Sequence, residues 1–130
     1  MHRQKINPRA DYRNQENERV RNSAFLADRF PQLKSLMVDL ACFHPEGRSK
    51  SSEIRYTANL ASARSVFRVE CPNNECIQGD FDLSEELAEA VMTHRTSAIG
   101  EKCCRGWMSK TTIGTIRCFH ILRYNFSLGY

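Results

Sequence analysis

The spacing of the cysteines constrains the fold of this 130-residue chain more than any other feature of its sequence. Four of the six cysteines form two separated pairs, and a predicted helix lies between the pairs. The first pair is Cys71 and Cys76, and the second is Cys104, two residues before Gly106, with Cys118 at the start of the last apolar run. A fold that brings two such pairs together creates the ligand set of a tetrahedral zinc site.

Turn-forming residues near these cysteines favour the metal-ligand interpretation. Backbone N–H groups must turn toward a thiolate ligand, and glycine, proline and asparagine permit such tight turns. Pro72, Asn73 and Asn74 follow the first cysteine, Gly79 follows the second, and Gly106 follows the third. The four residues between the first two cysteines exceed the spacing of about two that is common at paired zinc ligands.

With these features, residues 65–125 resemble the zinc-ribbon and treble-clef group of domains. The resemblance is one of pattern and implies one structural Zn²⁺ ion held by the four paired cysteines. The fourth ligand stays open, because His120 and His94 compete with Cys118. Cys104 is preferred to the adjacent Cys103, since Gly106 lies where a metal-binding turn needs it. Cys42 is expected to be a small apolar residue in a strand.

The sequence carries no targeting or membrane signal that we recognise. Residues 1–19 are polar and include acidic residues, and the apolar run over 36–43 contains Asp39 and is far too short to cross a bilayer. We therefore expect a cytoplasmic protein without membrane contact. In a reducing compartment paired cysteines are more often metal ligands than disulfides, although disulfides and free thiols are the alternatives.

Hydrophobic periodicity predicts an α+β domain over 14–130, preceded by a disordered basic tail over 1–13. A capping box at Asp82 and Glu85 predicts the central helix, which lies between the two metal-binding turns. The predicted elements are a helix over 14–30, antiparallel strands over 33–43, 54–57 and 65–70, a helix from Asp82, a strand and turn over 101–107, and a C-terminal strand or bent pair over 113–128.

No catalytic motif is recognisable, and the expected protein is not an enzyme. The sequence lacks the His-Glu-x-x-His, Gly-x-Ser-x-Gly and phosphate-loop patterns, and it lacks the zinc-deaminase pattern. Four cysteine ligands also close a zinc site, whereas a catalytic zinc keeps an open position. The acidic residues from Asp80 to Glu86 are interpreted as the solvated first turn of the central helix, where they suit the helix dipole.

Two classes of function remain open. The net charge of +4 and the sequence pI near 8.8 permit a nucleic-acid partner without requiring one. Cations beside an exposed aromatic ring can hold phosphates and stack a base, which favours a nucleic-acid-binding module. The alternative is a protein-interaction or structural accessory domain in which zinc only holds the fold. The candidate nucleic-acid residues are Arg105, Trp107 and Lys110 near the second turn and Arg117, Phe119 and Arg123 on one strand face.

Overall fold

The computed structural model describes residues 8–73, 76–77, 79–111 and 114–130, with only the backbone for 8–9, 108–111 and 114–116. The fold is α+β, as predicted, with an N-terminal helix, a central helix and a C-terminal strand. The elements are α1 (Pro8–Arg21), α2 (Leu26–Arg29), β1 (Ser35–Phe43), β2 (Lys50–Thr57), β3 (Arg68–Glu70), β4 (Asp80–Asp82), α3 (Ser84–Met92), β5 (Ser97–Cys103), β6 (Trp107–Thr111), β7 (Gly114–Arg117) and β8 (Ile121–Gly129).

The main sheet is antiparallel and has the strand order β2–β1–β8–β5. β1 and β8 bury every second side chain because their alternating apolar residues face the same side, as Val38 opposite Phe126 illustrates. The helix α3 buries Leu87, Ala90 and Val91 in the same core. The strand predicted over 33–43 is therefore confirmed as β1.

The N-terminal region differs from its predicted boundaries. The helix α1 includes residues 8–13, which the sequence assigned to a tail, while residues 1–7 lie outside the described part. Pro8 suits the first turn of a helix, where its missing N–H needs no partner. The helix predicted over 14–30 is divided, because Phe25 forms a β-bridge with Arg64 between α1 and α2. α2 ends before Pro31, as predicted.

The central helix begins later than its predicted cap. α3 starts at Ser84, and Asp82 lies outside the helix as the last residue of β4. The Ser84 N–H donates to Asp82 Oδ1 at 3.0 Å, so Asp82 closes a local turn before the helix. Among the described residues, no helix combines the length and apolar character needed to cross a membrane.

Two small hairpins stand apart from the main sheet. β3 pairs with β4, β6 pairs with β7, and a bridge between Ile77 and Trp107 links the two hairpins. The segment predicted over 113–128 is a bent pair rather than one strand. It breaks at Phe119, whose φ of 56° lies in the left-handed region. The turns that carry the cysteines lie at the ends of these short strands.

Candidate metal centre

The structure brings together the four cysteines that the sequence singled out. Cys71 and Cys76 lie between β3 and β4, Cys104 lies between β5 and β6, and Cys118 lies between β7 and β8. All four side chains are buried, and their sulfur atoms lie within 4.8 Å of one another. Three separate turns therefore converge on one point, with α3 between the first pair and the second.

The sulfur–sulfur distances fit a tetrahedral metal ion. Cys71 Sγ lies 3.7 Å from Cys118 Sγ, and Cys76 Sγ lies 3.6 Å from Cys104 Sγ. Zinc–sulfur bonds of about 2.3 Å give a tetrahedron with sulfur–sulfur edges of about 3.8 Å. The free thiols thus already have nearly the spacing that a Zn²⁺ ion requires, and no large movement of the backbone is needed to bind one.

Two glycines allow this close approach. A Cβ atom on Gly106 would lie 2.5 Å from Cys76 Sγ, and one on Gly79 would collide with the same sulfur. The Gly106 N–H also donates to Cys104 Sγ at 3.3 Å, an interaction that stabilises a thiolate. Both glycines were noted in the sequence for their position after a cysteine. Their physical role is to leave space for Cys76.

The other candidate ligands lie outside the cluster of four. His120 is buried beside it, with Nδ1 3.2 Å from Cys118 Sγ. If Cys118 is a thiolate, the Nδ1–H of His120 donates to it, as outer partners of metal ligands commonly do. His94 stacks on Tyr130 at a centroid distance of 3.8 Å, and Cys103 is exposed.

The close packing of thiols shifts their pKa values in opposite directions. The hydrogen bond from Cys71 lowers the pKa of Cys104 to about 6 against the effect of burial, and the Gly106 N–H adds to the lowering. The interaction with Cys104, together with burial, raises the pKa of Cys71. Burial also raises the pKa of Cys76. Binding a cation would therefore release protons from the cluster.

A buried ion cluster beside the metal centre was missed by the sequence analysis. Asp80 is fully buried in β4 rather than solvated at the start of a helix. Its carboxylate accepts hydrogen bonds from Arg68 Nε at 2.7 Å, Arg105 Nε at 2.7 Å and the Tyr12 hydroxyl at 2.9 Å. Burial raises the pKa of Asp80, but these donors outweigh it, and the pKa is lowered. The only sequence signal for a strand here was the alternation of the polar residues Asp80 and Asp82 with the apolar Phe81 between them.

The six predicted nucleic-acid residues do not form one free basic face. Arg105 binds the buried Asp80, and Arg123 binds Glu101 at 3.2 Å. Trp107 is half-buried and pairs through its backbone with Ile77. The side chain of Lys110 lies outside the described part. The remaining two, Arg117 and Phe119, line a groove of about 1210 Å³ next to the metal centre.

Comparison of the chain with protein-family models, with curated proteins and with solved structures finds no significant match. Its function is therefore inferred from the geometry of its own residues.

Proposed function

We propose that this chain is a small non-enzymatic domain in which one zinc ion, held by the four clustered cysteines, stabilises the fold. The observation that carries the proposal is the pair of sulfur–sulfur distances, 3.7 and 3.6 Å, within a buried cluster of four thiols. When bound, zinc supplies a Lewis-acidic cross-link between thiolates. The four cysteines occupy every position of a tetrahedron, which leaves none for a substrate.

The donor chemistry supports zinc without excluding iron. Tetrahedral sites with four sulfur ligands hold zinc or iron, and both bind thiolates. The N–H of Gly106 and the Nδ1 atom of His120 lie next to two of the sulfurs, where they can balance part of the negative charge. The residues present fit a metal with a preference for sulfur.

Elemental analysis tests the site. Protein purified without added metal should contain close to one zinc per chain, because the described cluster supplies one set of four ligands. If the analysis found one iron per chain instead of zinc, the four-cysteine site would stand and only the identity of the metal would change. Protein without metal and with all six cysteines reactive in the native state would overturn the proposal.

Two adjacent cysteines give a matched pair of variants. Cys104→Ser should abolish tight metal binding, because Cys104 is buried in the cluster. Cys103→Ser should keep the metal and the stability, because Cys103 is exposed and lies outside the cluster. Equal metal loss in both variants would show that the ligand assignment is wrong.

A second candidate function is binding of single-stranded nucleic acid in the groove, and it is favoured by Phe119. This residue is 53% exposed, and its positive φ is costly for a bulky side chain. Glycine would allow the same turn without strain, so the turn alone gives no reason for an aromatic residue. The guanidinium carbon of Arg117 lies 5.9 Å from the Phe119 ring centroid. A stacked base with its phosphate near Arg117 suits this pair.

Phe119→Gly separates the role of the side chain from that of the backbone. The variant should fold at least as stably as the wild type, because glycine relieves the strain at positive φ. It should also lose affinity for labelled single-stranded RNA or DNA at low salt, since stacking contributes about 1–3 kcal/mol per base. Arg117→Ala should reduce the slope of log K against log salt by about 0.7. Arg29→Ala, in α2 and not among the residues that line the groove, is the control. Unchanged affinity in the glycine variant would refute this candidate.

A further inference from the structure

β2 forms one edge of the four-stranded sheet, and among the described residues its outer side pairs with no other strand. All eight of its residues are exposed. Ile54 is 55% and Tyr56 38% exposed, although they lie opposite Leu40 and Val38 on the face of the sheet that carries the core. The strand therefore presents an unpaired backbone edge together with an uncovered apolar strip.

The other edge of the sheet is protected against pairing, and β2 is not. On β5, Lys102 points to the core side opposite Leu122 and binds Glu86 at 2.7 Å. An inward-pointing charge of this kind is a recognised defence of an edge strand. Residues 52–57 of β2 contain neither proline nor a charge on the core side, and the bulge in its pairing with β1 lies before them.

The hydrogen bonds to β1 determine which residues of β2 face outward. The Ala58 N–H donates to Leu36 O at 2.8 Å, so the even-numbered residues of this segment direct their backbone groups toward β1. Because neighbouring residues in a strand alternate, Glu53, Arg55 and Thr57 direct their N–H and C=O groups outward. These are the groups that an added strand would use.

The charges on β2 select one register for a second copy of the same strand. Antiparallel pairing must place outward-facing residues opposite one another. A two-fold axis at Glu53 or at Arg55 would place like charges opposite each other, which is unfavourable. An axis at Ile54 instead places Glu53 of each chain opposite Arg55 of the other, which gives two pairs of opposite charge. It also brings the two Ile54 side chains together and sets Tyr56 opposite Ser52.

We propose that the chain forms a symmetric dimer through its β2 edges, which joins two four-stranded sheets into one continuous sheet. In this arrangement Arg55 lies between Asp39 of its own chain, which it binds at 2.8 Å, and Glu53 of the second copy. The row of charges alternates in sign across the interface, and the exposed Ile54 becomes covered. The proposal does not depend on the identity of the metal or on the groove.

Charge reversal tests the register with the full, metal-loaded chain. Sedimentation equilibrium from about 1 to 300 μM, a range that covers weak association, should show a monomer–dimer equilibrium. Glu53→Arg and Arg55→Glu should each weaken the dimer by about tenfold or more, because each places like charges opposite each other. An equimolar mixture of the two variants should recover a dimer of mixed chains, since opposite charges then meet at both positions.

A matched pair of lysine substitutions separates the interface from general effects. Ile54→Lys should abolish the dimer, whereas Ile99→Lys, at a residue 68% exposed on the opposite edge, should leave it intact. In dilute protein, where the wild type is itself monomeric, both variants are expected to keep the wild-type melting temperature, because both side chains are exposed. A chain that stays monomeric at about 300 μM, or a dimer that both single charge reversals leave unchanged, would overturn the proposal.

Discussion

The two halves of the molecule are stabilised in different ways. The sheet half, which comprises β1, β2, β5, β8 and α3, has long strands of up to nine residues and an apolar core that includes Phe126. The metal half, which comprises β3, β4, β6, β7 and the four clustered cysteines, has strands of three to five residues. Such short hairpins are marginal by themselves. Where the sheet half has a large apolar core, the metal half has four clustered thiols that could hold a metal ion and a buried ion cluster around Asp80.

The halves meet at β3 and β4, which belong to the metal half but contribute to the shared core. Phe81 in β4 is buried, and Phe67, just before β3, packs edge-on against Phe126 at a centroid distance of 5.6 Å. On the opposite side of β4, Asp80 binds two arginines. One short hairpin therefore faces an apolar core on one side and a charged cluster on the other.

The largest expected effect is that of metal removal. Chelation should abolish the slow hydrogen exchange of the amides in β3, β4, β6 and β7, because structural zinc contributes about 10–16 kcal/mol in small zinc-binding peptides. The amides of β1 and β8 should stay protected. Hydrogen exchange with mass spectrometry measures both halves at once. Simultaneous loss of protection in β1 and β8 would show that the two halves unfold as one unit.

Asp80 tests the charged cluster. Asp80→Ala should lower the free energy of unfolding by about 3–5 kcal/mol, because it removes the carboxylate that Arg68 binds at 2.7 Å and leaves this buried guanidinium with the longer contact to the half-exposed Glu70 at 3.6 Å. The same substitution at the exposed Asp28 of α2 should change it by less than about 0.5 kcal/mol. Urea denaturation of metal-loaded protein measures both. Similar values for the two variants would show that the cluster contributes little.

The lowered pKa of Asp80 also predicts acid sensitivity. Because the folded state holds this pKa below the ordinary value of 3.8, its contribution to stability is present above that value and is lost as the pH falls through the lower, folded pKa. Asp80→Asn should remove this part of the pH dependence. Urea midpoints measured between about pH 2 and 6, the range in which carboxylates titrate, compare the two proteins. If the urea midpoints of the two proteins changed with pH in the same way, the assignment of this pH dependence to Asp80 would be wrong.

Leu87 tests the sheet half. Leu87→Ala removes a fully packed side chain from α3 and should cost about 2–4 kcal/mol. On the proposal of one zinc per chain, the metal content should be unchanged, because none of the four clustered cysteines lies on this helix. Denaturation combined with elemental analysis checks both expectations. Loss of zinc from the folded variant would show that the apolar core positions the metal ligands.

Sequence periodicity predicted the sheet half better than the metal half. Strand alternation identified β1, and the buried residues of β8 fall on the face that alternation predicted. Cysteine spacing and the nearby glycines identified the four clustered thiols before the turns themselves were known. Both signals are local, since a strand or a turn is readable from a few consecutive residues.

Long-range charge pairing was not readable from the sequence. Arg105 is separated from Asp80 by 25 positions, and Tyr12 by 68, so neither neighbour could be recognised by spacing. For this reason Arg105 was predicted as a nucleic-acid contact, whereas it binds a buried carboxylate. The polar helix α1 likewise lacks an apolar face that would have predicted its start at Pro8.

The smallest expected effect concerns the contact between α1 and the metal half. Tyr12→Phe removes only the hydroxyl that donates to Asp80, and Asp80 keeps both arginines. We expect a loss of about 1.5 kcal/mol, the lower limit for hydrogen bonds to charged groups. Tyr56→Phe, which removes a hydroxyl from β2, should have no measurable effect. Hydrogen exchange should locate the change in α1 and β4, because the hydroxyl joins these two elements. If the loss reached the value for Asp80→Ala, the tyrosine rather than the arginines would hold the buried carboxylate.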